Sequence, residues 1–281
     1  MSPPGSDAVR QHQFLAACEL DVTALKPGNV RLGMPAAGMR AEDFLRSAYV
    51  SAPALAERGA SVGQRVLQAI ARTQEIVRCN TNLGIVLLAA PLFCAAEAGG
   101  NLHAAVQREL ARLDRRDARL VYQAIRLARP GGMGTSARHD LGAEPRVTLL
   151  EAMSEARDRD SIARQYANGF SDVFNMGLAH WNEALARFEN ESWAATHLYL
   201  VYLSSWRDSL IERKFGTATA QAVSERAREL HSQVASYSDL DDIASRLLAW
   251  DEELRCAGLN PGTSADLTVA TVFAAKLARA V

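Results

Sequence analysis

The stretch that decides the fold is SWAATHLYLVYLSSW, residues 192–206. A helix over these residues is apolar on most sides, which is typical of a central buried helix rather than an amphipathic surface helix. Outward from it, apolar residues recur at spacings of three and four, as at Phe14, Cys18 and Val22. No run of four to eight residues alternates as a strand would. The sequence therefore predicts an all-α protein.

We predict about a dozen helices in a single large multi-helix bundle, one domain over residues 1–281 with a flexible N-terminus at 1–8. A chain of 281 residues is close to the upper size that packs around one core. The polar segment 129–146 is the longest irregular stretch, and such loops often carry function. The predicted helices cover 8–25, 41–58, 61–78, 82–98, 102–128 with a break near Asp114, 147–157, 159–176, 178–189, 192–206, 217–236, 239–256 and 263–279.

Composition narrows the possible partners. A net charge of −1 gives no bulk attraction to nucleic acid or to an anionic membrane, so we expect neither as a partner. The first ten residues carry no apolar run, and the longest apolar stretch, 83–96, is too short to span a bilayer. We therefore expect a cytoplasmic protein that acts on small molecules, and its apolar helices are compatible with a homodimer.

Cysteine and lysine usage add two further expectations. The four cysteines are scattered without a Cys-x-x-Cys pair, which predicts small buried apolar residues rather than a zinc site or disulfides. Of the 31 basic residues only Lys26, Lys214 and Lys276 are lysines. Either the chain reflects a general arginine bias, or lysine persists where arginine will not serve.

Unusual polar residues collect at predicted helix junctions. The first junction has Glu19 followed by Lys26-Pro27-Gly28-Asn29, where Pro27 stops the helix and leaves Lys26 and Asn29 on a sharp turn. Lys26 there either complements the helix dipole or binds a phosphate. The second is Asn80-Thr81-Asn82-Leu83-Gly84, which opens an apolar helix. Capping explains one of its three polar residues, and a helix N-terminus with added amide donors also suits an anion.

Two more junctions lie in the C-terminal third. In residues 206–216, WRDSLIERKFG, Asp208 shortly precedes Arg213 and Lys214. This is either a solvated helix end or a metal-binding carboxylate beside two phosphate-binding cations. In residues 260–267, NPGTSADL, Thr263 and Asp266 have capping-box spacing. The same turn could also aim backbone N–H groups at a phosphate, and both interpretations can hold together.

Taken in order, these motifs resemble those of the triphosphoribosyl-dephospho-CoA synthase family, from about residue 12 to the C-terminus. The resemblance implies an all-helical, Mg²⁺-dependent transferase in coenzyme or prosthetic-group biosynthesis. Such an enzyme transfers the triphosphoribosyl part of ATP to dephospho-CoA and releases adenine. The motifs are Lys26-Pro-Gly-Asn, Asn80-Thr-Asn-Leu-Gly, the runs Thr148-Leu-Leu-Glu-Ala-Met and Arg159-Asp-Ser-Ile-Ala-Arg-Gln-Tyr, Asp208 with Arg213-Lys-Phe-Gly, and Pro261-Gly-Thr-Ser-Ala-Asp-Leu.

The resemblance also assigns roles. Displacing adenine at an anomeric carbon builds positive charge on the sugar while the acceptor hydroxyl loses a proton, and one nearby carboxylate could stabilise the charge and accept the proton. Glu19 and Asp208 are the candidate catalytic residues, and Asp208 with Asp266 could hold Mg²⁺. ATP and a CoA-like or other cofactor precursor are the expected substrates. The candidate phosphate- and substrate-binding residues are Lys26, Asn29, Asn80, Thr81, Asn82, Arg213, Lys214, Asn260 and Thr263.

Departures from the family pattern leave alternatives open. Residues 35–40 lack the His and Asp that follow the lysine turn in better-known members, and Asn82-Leu83 stands where they have His-Lys. An Arg-Gly-Glu-Ala element is also replaced near 135–138. The chain is thus similar to short relatives linked to pterin- or furan-dependent one-carbon metabolism. It could run a different nucleotide-dependent transferase or ligase reaction, or be a catalytically degenerate helical binding or assembly protein.

Overall fold

The computed structural model describes residues 6–35, 38–129, 144–236 and 240–279. Within these ranges the chain forms fourteen α-helices, one π-helical segment and no sheet, which confirms the all-α prediction. The elements are α1 Ser6–Thr23, α2 Ala41–Leu55, α3 Val62–Ile76, α4 Leu83–Ala98, α5 Leu102–Ala111, α6 Arg115–Ala128, α7 Leu149–Ala156, α8 Ser161–Ala167, the π-helical segment Asp172–Gly177, α9 Leu178–Phe188, α10 Glu191–Ser205, α11 Ser209–Phe215, α12 Thr217–Ser236, α13 Leu240–Cys256 and α14 Gly262–Ala278.

Helix α10 is central, as its sequence predicts, because it joins two hydrophobic clusters. Leu198 and Tyr202 belong to the larger cluster, which also contains α4 and α14. Tyr199 and Leu203 face a smaller cluster with α12 and α13. Every residue from 194 to 204 is buried. A helix buried on all sides must be apolar on all sides, which is the pattern that identified it.

Helix α4 is the other core helix, and it continues through Pro91. Proline has no N–H, so the carbonyl four residues earlier, at Leu87, loses its helical donor. The hydroxyl of Tyr166 donates to that carbonyl at 2.7 Å. This bond replaces the missing one and fixes α8 against α4, next to the site described below.

The structure differs from the predicted elements in two places that matter for the site. The predicted helix 159–176 is interrupted, because Gly169 and Phe170 have φ values of 67° and 61°. Residues 207–216 were expected to be a turn or helix end, yet Ser209–Phe215 forms α11, which Asp208 caps. The predicted break near Asp114 is confirmed, since Asp114 caps α6.

Three smaller expectations can also be compared with the structure. All four cysteines are free, and Cys18 and Cys94 are buried as predicted. Cys79 is only partly buried and Cys256 is exposed, so the prediction of burial does not hold for these two residues. Residues 130–143, most of the predicted 129–146 loop including 135–138, lie outside the described residues. In the described part, no helix by itself combines the length and apolarity needed to cross a membrane, and one bent pair, α4 with α5, meets that test only jointly.

Candidate active site

The Lys26 turn follows directly on the end of α1. Lys26 is only 1% exposed. Its ammonium group donates to the carboxylate of Asp21 and, at 2.7 Å, to Oδ1 of Asn29. It also lies 5.9 Å from the centroid of the Tyr199 ring. The predicted turn is therefore present, but its lysine belongs to a buried, hydrogen-bonded network with Asp21, a residue that the sequence analysis did not single out.

Gly28 explains why this turn can lie so deep. Its φ of 79° favours glycine, and a Cβ there would lie 2.8 Å from the carbonyl oxygen of Leu259. The Gly28 N–H donates to Asp251 at 2.7 Å, and the Tyr199 hydroxyl donates to the Pro27 carbonyl at 2.6 Å. The Lys26 turn is thus held against the turn between α13 and α14.

That second turn meets the first through two amides. Nδ2 of Asn29 donates to Oδ1 of Asn260 at 2.9 Å. Helix α14 begins at Gly262 with Pro261 at the N-cap and no side-chain cap bond, so Thr263 lies inside the helix. The predicted capping box of Thr263 and Asp266 is therefore wrong. Because Asp266 does not bond back to the helix start, its carboxylate is available for another role.

Asp208 is the most fully hydrogen-bonded carboxylate of the site. One oxygen accepts from the backbone N–H groups of Leu210 and Ile211 at 2.9 and 3.2 Å. The other accepts from the N–H and the hydroxyl of Ser264 at 2.8 and 2.9 Å. A carboxylate offers about four lone-pair positions, so these bonds saturate it. Burial raises the pKa of Asp208, and the same bonds oppose the rise. In this geometry Asp208 joins α11 to α14.

Asp266 has the opposite environment, because no described residue donates a hydrogen bond to its carboxylate. The residue keeps some contact with solvent, but protein atoms enclose the carboxyl group. This burial raises its pKa well above the usual range, the neighbouring carboxylates Asp21 and Asp208 raise it further, and Lys26 opposes them. Gly84 makes room for it, since a Cβ there would lie 1.9 Å from Oδ2 of Asp266.

The asparagine-threonine motif before α4 brings a further buried polar group. Asn82 is 4% exposed, and its Nδ2 donates to the Ser47 carbonyl at 3.4 Å and the Ser51 hydroxyl at 3.3 Å. Its Oδ1 is buried without a partner among the described residues. Asn80 accepts from the Leu83 N–H at 3.3 Å, and the hydroxyl groups of Thr81 and Ser47 are hydrogen-bonded. Two of the three polar residues thus fix the start of α4, and Asn82 leaves one acceptor open.

Three predicted residues lie at the periphery. Glu19 is exposed near the end of α1, but Asp21, Glu19 and Asp266 all contribute, after burial, to the raised pKa of the Cys18 thiol. Glu19 follows Cys18 directly in the chain, and no hydrogen bond or ion pair joins its side chain to the described residues of the site. Nη1 of Arg213 lies 3.8 Å from Asp160, and Lys214 is exposed at the end of α11. The phosphate-binding and catalytic roles of these residues stay predictions.

A magnesium ion would fit the donor chemistry around Asp266. Mg²⁺ is usually bound by one or two protein carboxylates together with substrate phosphates. No group of three or more His, Cys, Asp or Glu within the described ranges is arranged to hold a metal ion. Asp266, whose carboxylate has no hydrogen-bond donor among the described residues, would supply one of the carboxylates that a substrate-bridged Mg²⁺ uses.

The fold and site together define an all-helical protein with a buried lysine–carboxylate cluster at the junctions of four helices. Residues 8–281 match the model of the CitG family, described as ATP:dephospho-CoA triphosphoribosyl transferase. The chain therefore belongs to the CitG family, which confirms the resemblance stated above. A search of curated proteins found no match.

A solved structure supports the same assignment. The crystal structure of a candidate triphosphoribosyl-dephospho-CoA synthase from Archaeoglobus fulgidus is similar to this chain, with a TM-score of 0.65 and 30% sequence identity. The match covers 82% of this chain and 97% of that chain. The likeness thus extends over nearly the whole archaeal protein and not over one motif.

Proposed function

We propose that this protein transfers the triphosphoribosyl group of ATP to the alcohol of dephospho-CoA or a related acceptor, with Mg²⁺, and releases adenine. One observation carries the proposal: motifs spread over the length of the chain meet around one carboxylate without a hydrogen-bond donor. The Lys26 turn bonds to Asn260, Asp208 bonds to Ser264, and Asp266 packs on Gly84. The product would be a precursor of a cofactor or prosthetic group.

In the proposed reaction the bond between the ribose anomeric carbon and adenine breaks as a bond to the acceptor oxygen forms. The acceptor hydroxyl gives up its proton, for which we propose Glu19, an accessible carboxylate near the end of α1, and adenine takes up a proton at the released nitrogen as it leaves. Asp266 with Asp21 would hold Mg²⁺, which neutralises phosphate charge when bound. Asp208 acts through α11 and α14 as a positioning residue, and Asn82 Oδ1 is an acceptor that a substrate hydroxyl or amine could satisfy.

Adenine release from ATP, measured chromatographically with dephospho-CoA and Mg²⁺, tests the proposal. We expect Glu19→Gln to lower the rate by about 10²- to 10⁴-fold, the range for loss of a general base. Asp266→Asn should raise the Mg²⁺ concentration needed for half-maximal rate. Glu75→Gln, at an exposed position of α3, is the matched control and should change neither quantity.

Other products would point to other functions. Formation of ADP or AMP without adenine would contradict triphosphoribosyl transfer and favour a different nucleotide-dependent transferase or ligase, of the kind used in pterin or furan cofactor pathways. Absence of any binding at millimolar Mg-ATP, measured by the melting temperature, would favour a helical binding or assembly protein.

A further inference from the structure

Two copies of a short motif, Arg-Asp-Ser, meet where α8 and α11 begin. Arg159-Asp160-Ser161 precedes α8, and Arg207-Asp208-Ser209 precedes α11. Each aspartate caps its helix by accepting from the N–H groups two and three residues later. The hydroxyl of Ser209 donates to that of Ser161 at 3.0 Å and accepts from the Ser161 N–H at 2.8 Å. The two motifs therefore face each other, serine to serine.

A cavity of about 190 Å³ lies at this junction, and five arginines line it. Such a cavity is smaller than the roughly 300–1,000 Å³ that encloses a drug-sized ligand, so it would hold one end of a larger molecule. Like charges collected in a small space repel one another unless an anion is present. The arginines are Arg157, Arg159, Arg164, Arg207 and Arg228.

The carboxylates that line the same cavity offset only part of this charge, and the oxygens of two of them already have partners. Asp160 accepts from the N–H groups of Ile162 and Ala163 at 2.9 and 3.0 Å. Glu212 accepts from Arg207 at 3.1 Å and from Thr217 at 2.9 Å. Only three acidic residues line the cavity, against the five arginines.

Contacts with neighbouring residues fix the side chains of two of the arginines, whereas a third has no hydrogen-bond or ion-pair partner among the described residues. Arg164 stacks 4.1 Å from the centroid of the Trp206 ring and pairs with Asp172 at 3.0 Å. Arg228 donates to the Ser204 carbonyl at 2.9 Å. Arg159 makes no side-chain hydrogen bond or ion pair with any residue that the structure describes. Its guanidinium is therefore available to a ligand at the rim of a prearranged cationic cavity.

We propose that this arginine cavity binds a phosphate chain. Guanidinium groups pair with phosphate oxygens through two parallel hydrogen bonds, and several of them suit a group with many charged oxygens. The identity of the ligand rests on the proposed function. Both of its substrates, ATP and dephospho-CoA, contain a phosphate chain. The cations involved, Arg159 and Arg207 above all, differ from the Arg213 and Lys214 that the sequence predicts.

Binding titrations on the full chain test the cavity without requiring turnover. Inorganic pyrophosphate, ATP and dephospho-CoA would each be titrated by calorimetry into the wild-type protein and into Arg159→Gln/Arg207→Gln. We expect the double variant to weaken pyrophosphate binding by about tenfold or more, the usual cost of losing charged hydrogen bonds. Arg119→Gln, at an exposed position of α6, is the matched control, and thermal melting verifies that each variant folds.

The pattern across ligands identifies the source of the phosphate. A loss confined to pyrophosphate and ATP would assign the cavity to the nucleotide, and a loss confined to pyrophosphate and dephospho-CoA would assign it to the acceptor. Equal binding of all three ligands by wild type and double variant would overturn the proposal, as would a wild type that binds none of them. Wild-type pyrophosphate binding without adenine release would contradict the proposed function while leaving the cavity proposal intact. If the double variant released adenine at the full rate and bound the ligands unchanged, the cavity proposal would be contradicted and the proposed function would stand.

Discussion

Two buried polar clusters of the described residues differ in whether their polar atoms have hydrogen-bond partners. In the first, the lysine cluster of Lys26, Asp21, Asn29 and Asn260, side chains bond to one another in a connected chain. The charges of this cluster are matched in place, because an unpaired charge in a low-dielectric interior is costly. The lysine cluster therefore holds two distant turns in one fixed arrangement.

The second is the histidine cluster of His180, His197 and His231, on α9, α10 and α12. The ring centroids are 4.8 to 6.3 Å apart. Both ring nitrogens of His197 and Nε2 of His231 are buried without a partner among the described residues. Burial, His231, His180 and Arg187 together lower the pKa of His197 to about 4. Burial thus favours the neutral form of His197, whereas the lysine cluster is stabilised because its charges are paired.

The largest expected effect comes from unpairing the lysine cluster. Lys26→Met leaves the Asp21 carboxylate, 3% exposed, without its cation, and removing one partner of a buried pair costs about 3–5 kcal/mol. We expect a loss of that size in the free energy of unfolding, measured by urea denaturation. A second substitution, Asp21→Leu, should restore most of it, because both charges are then absent.

Lys276 offers the matched control for that variant. It pairs with Glu191 at 2.9 Å, but the Glu191 side chain is 42% exposed. Water already screens such a pair, so Lys276→Met should cost about 1 kcal/mol or less. Equal losses for the two lysines would show that burial of the Lys26 pair is not what stabilises the junction.

The histidine cluster should show its effect through pH. The folded protein holds His197 with a pKa of about 4, whereas the unfolded value is near 6.5. The unfolded state therefore binds more protons between these values, and stability is lost as pH falls through this window. The shift corresponds to about 3 kcal/mol between pH 7 and pH 4. Denaturation midpoints of wild type and His197→Phe across this range measure it.

In that experiment His197→Phe should flatten the pH dependence, because phenylalanine packs near Phe188 without binding a proton. The exposed His12 provides a control, and His12→Gln should leave the wild-type slope unchanged. A slope that His197→Phe does not alter would assign the acid sensitivity to other groups.

The sequence predicts the helices better than the contacts between them. The apolar composition of α10 and α4 identified them, because a helix buried on all sides is apolar on all sides whichever helices it packs against. The apolar periodicity missed α11, a seven-residue helix whose N-cap, Asp208, had been interpreted as a metal ligand. It also joined α8 to the π-helical segment, since nothing in the pattern showed that Phe170 would adopt a positive φ.

The sequence predicted the positions of the turns at the site, but not how the charged side chains there are paired. The turn that contains Lys26 and the turn that contains Asn260 are far apart in the sequence, but the structure brings them into contact. Asp21 was missed, although it lies near the end of α1 and five residues before Lys26. Arg159 and Arg207 were also missed, and the repeated Arg-Asp-Ser triplet is the signal that could have found them. Which carboxylate is saturated and which has no donor depends on tertiary contacts that spacing does not encode.

The smallest expected effect is that of replacing a lysine with arginine, at a buried and at an exposed position. It tests why lysine is scarce in this chain. The Lys26 ammonium group fits between Asp21 and Asn29 below the ring of Tyr199, and a guanidinium is larger and planar. Overpacking a buried position costs about 1–3 kcal/mol, so Lys26→Arg should lower the free energy of unfolding by that amount. Lys214→Arg, at an exposed position, should stay within about 0.5 kcal/mol of wild type. Chemical denaturation of the two variants side by side decides between the two explanations. A Lys26→Arg protein as stable as wild type would favour general arginine bias, with lysine retained at residue 26 by chance.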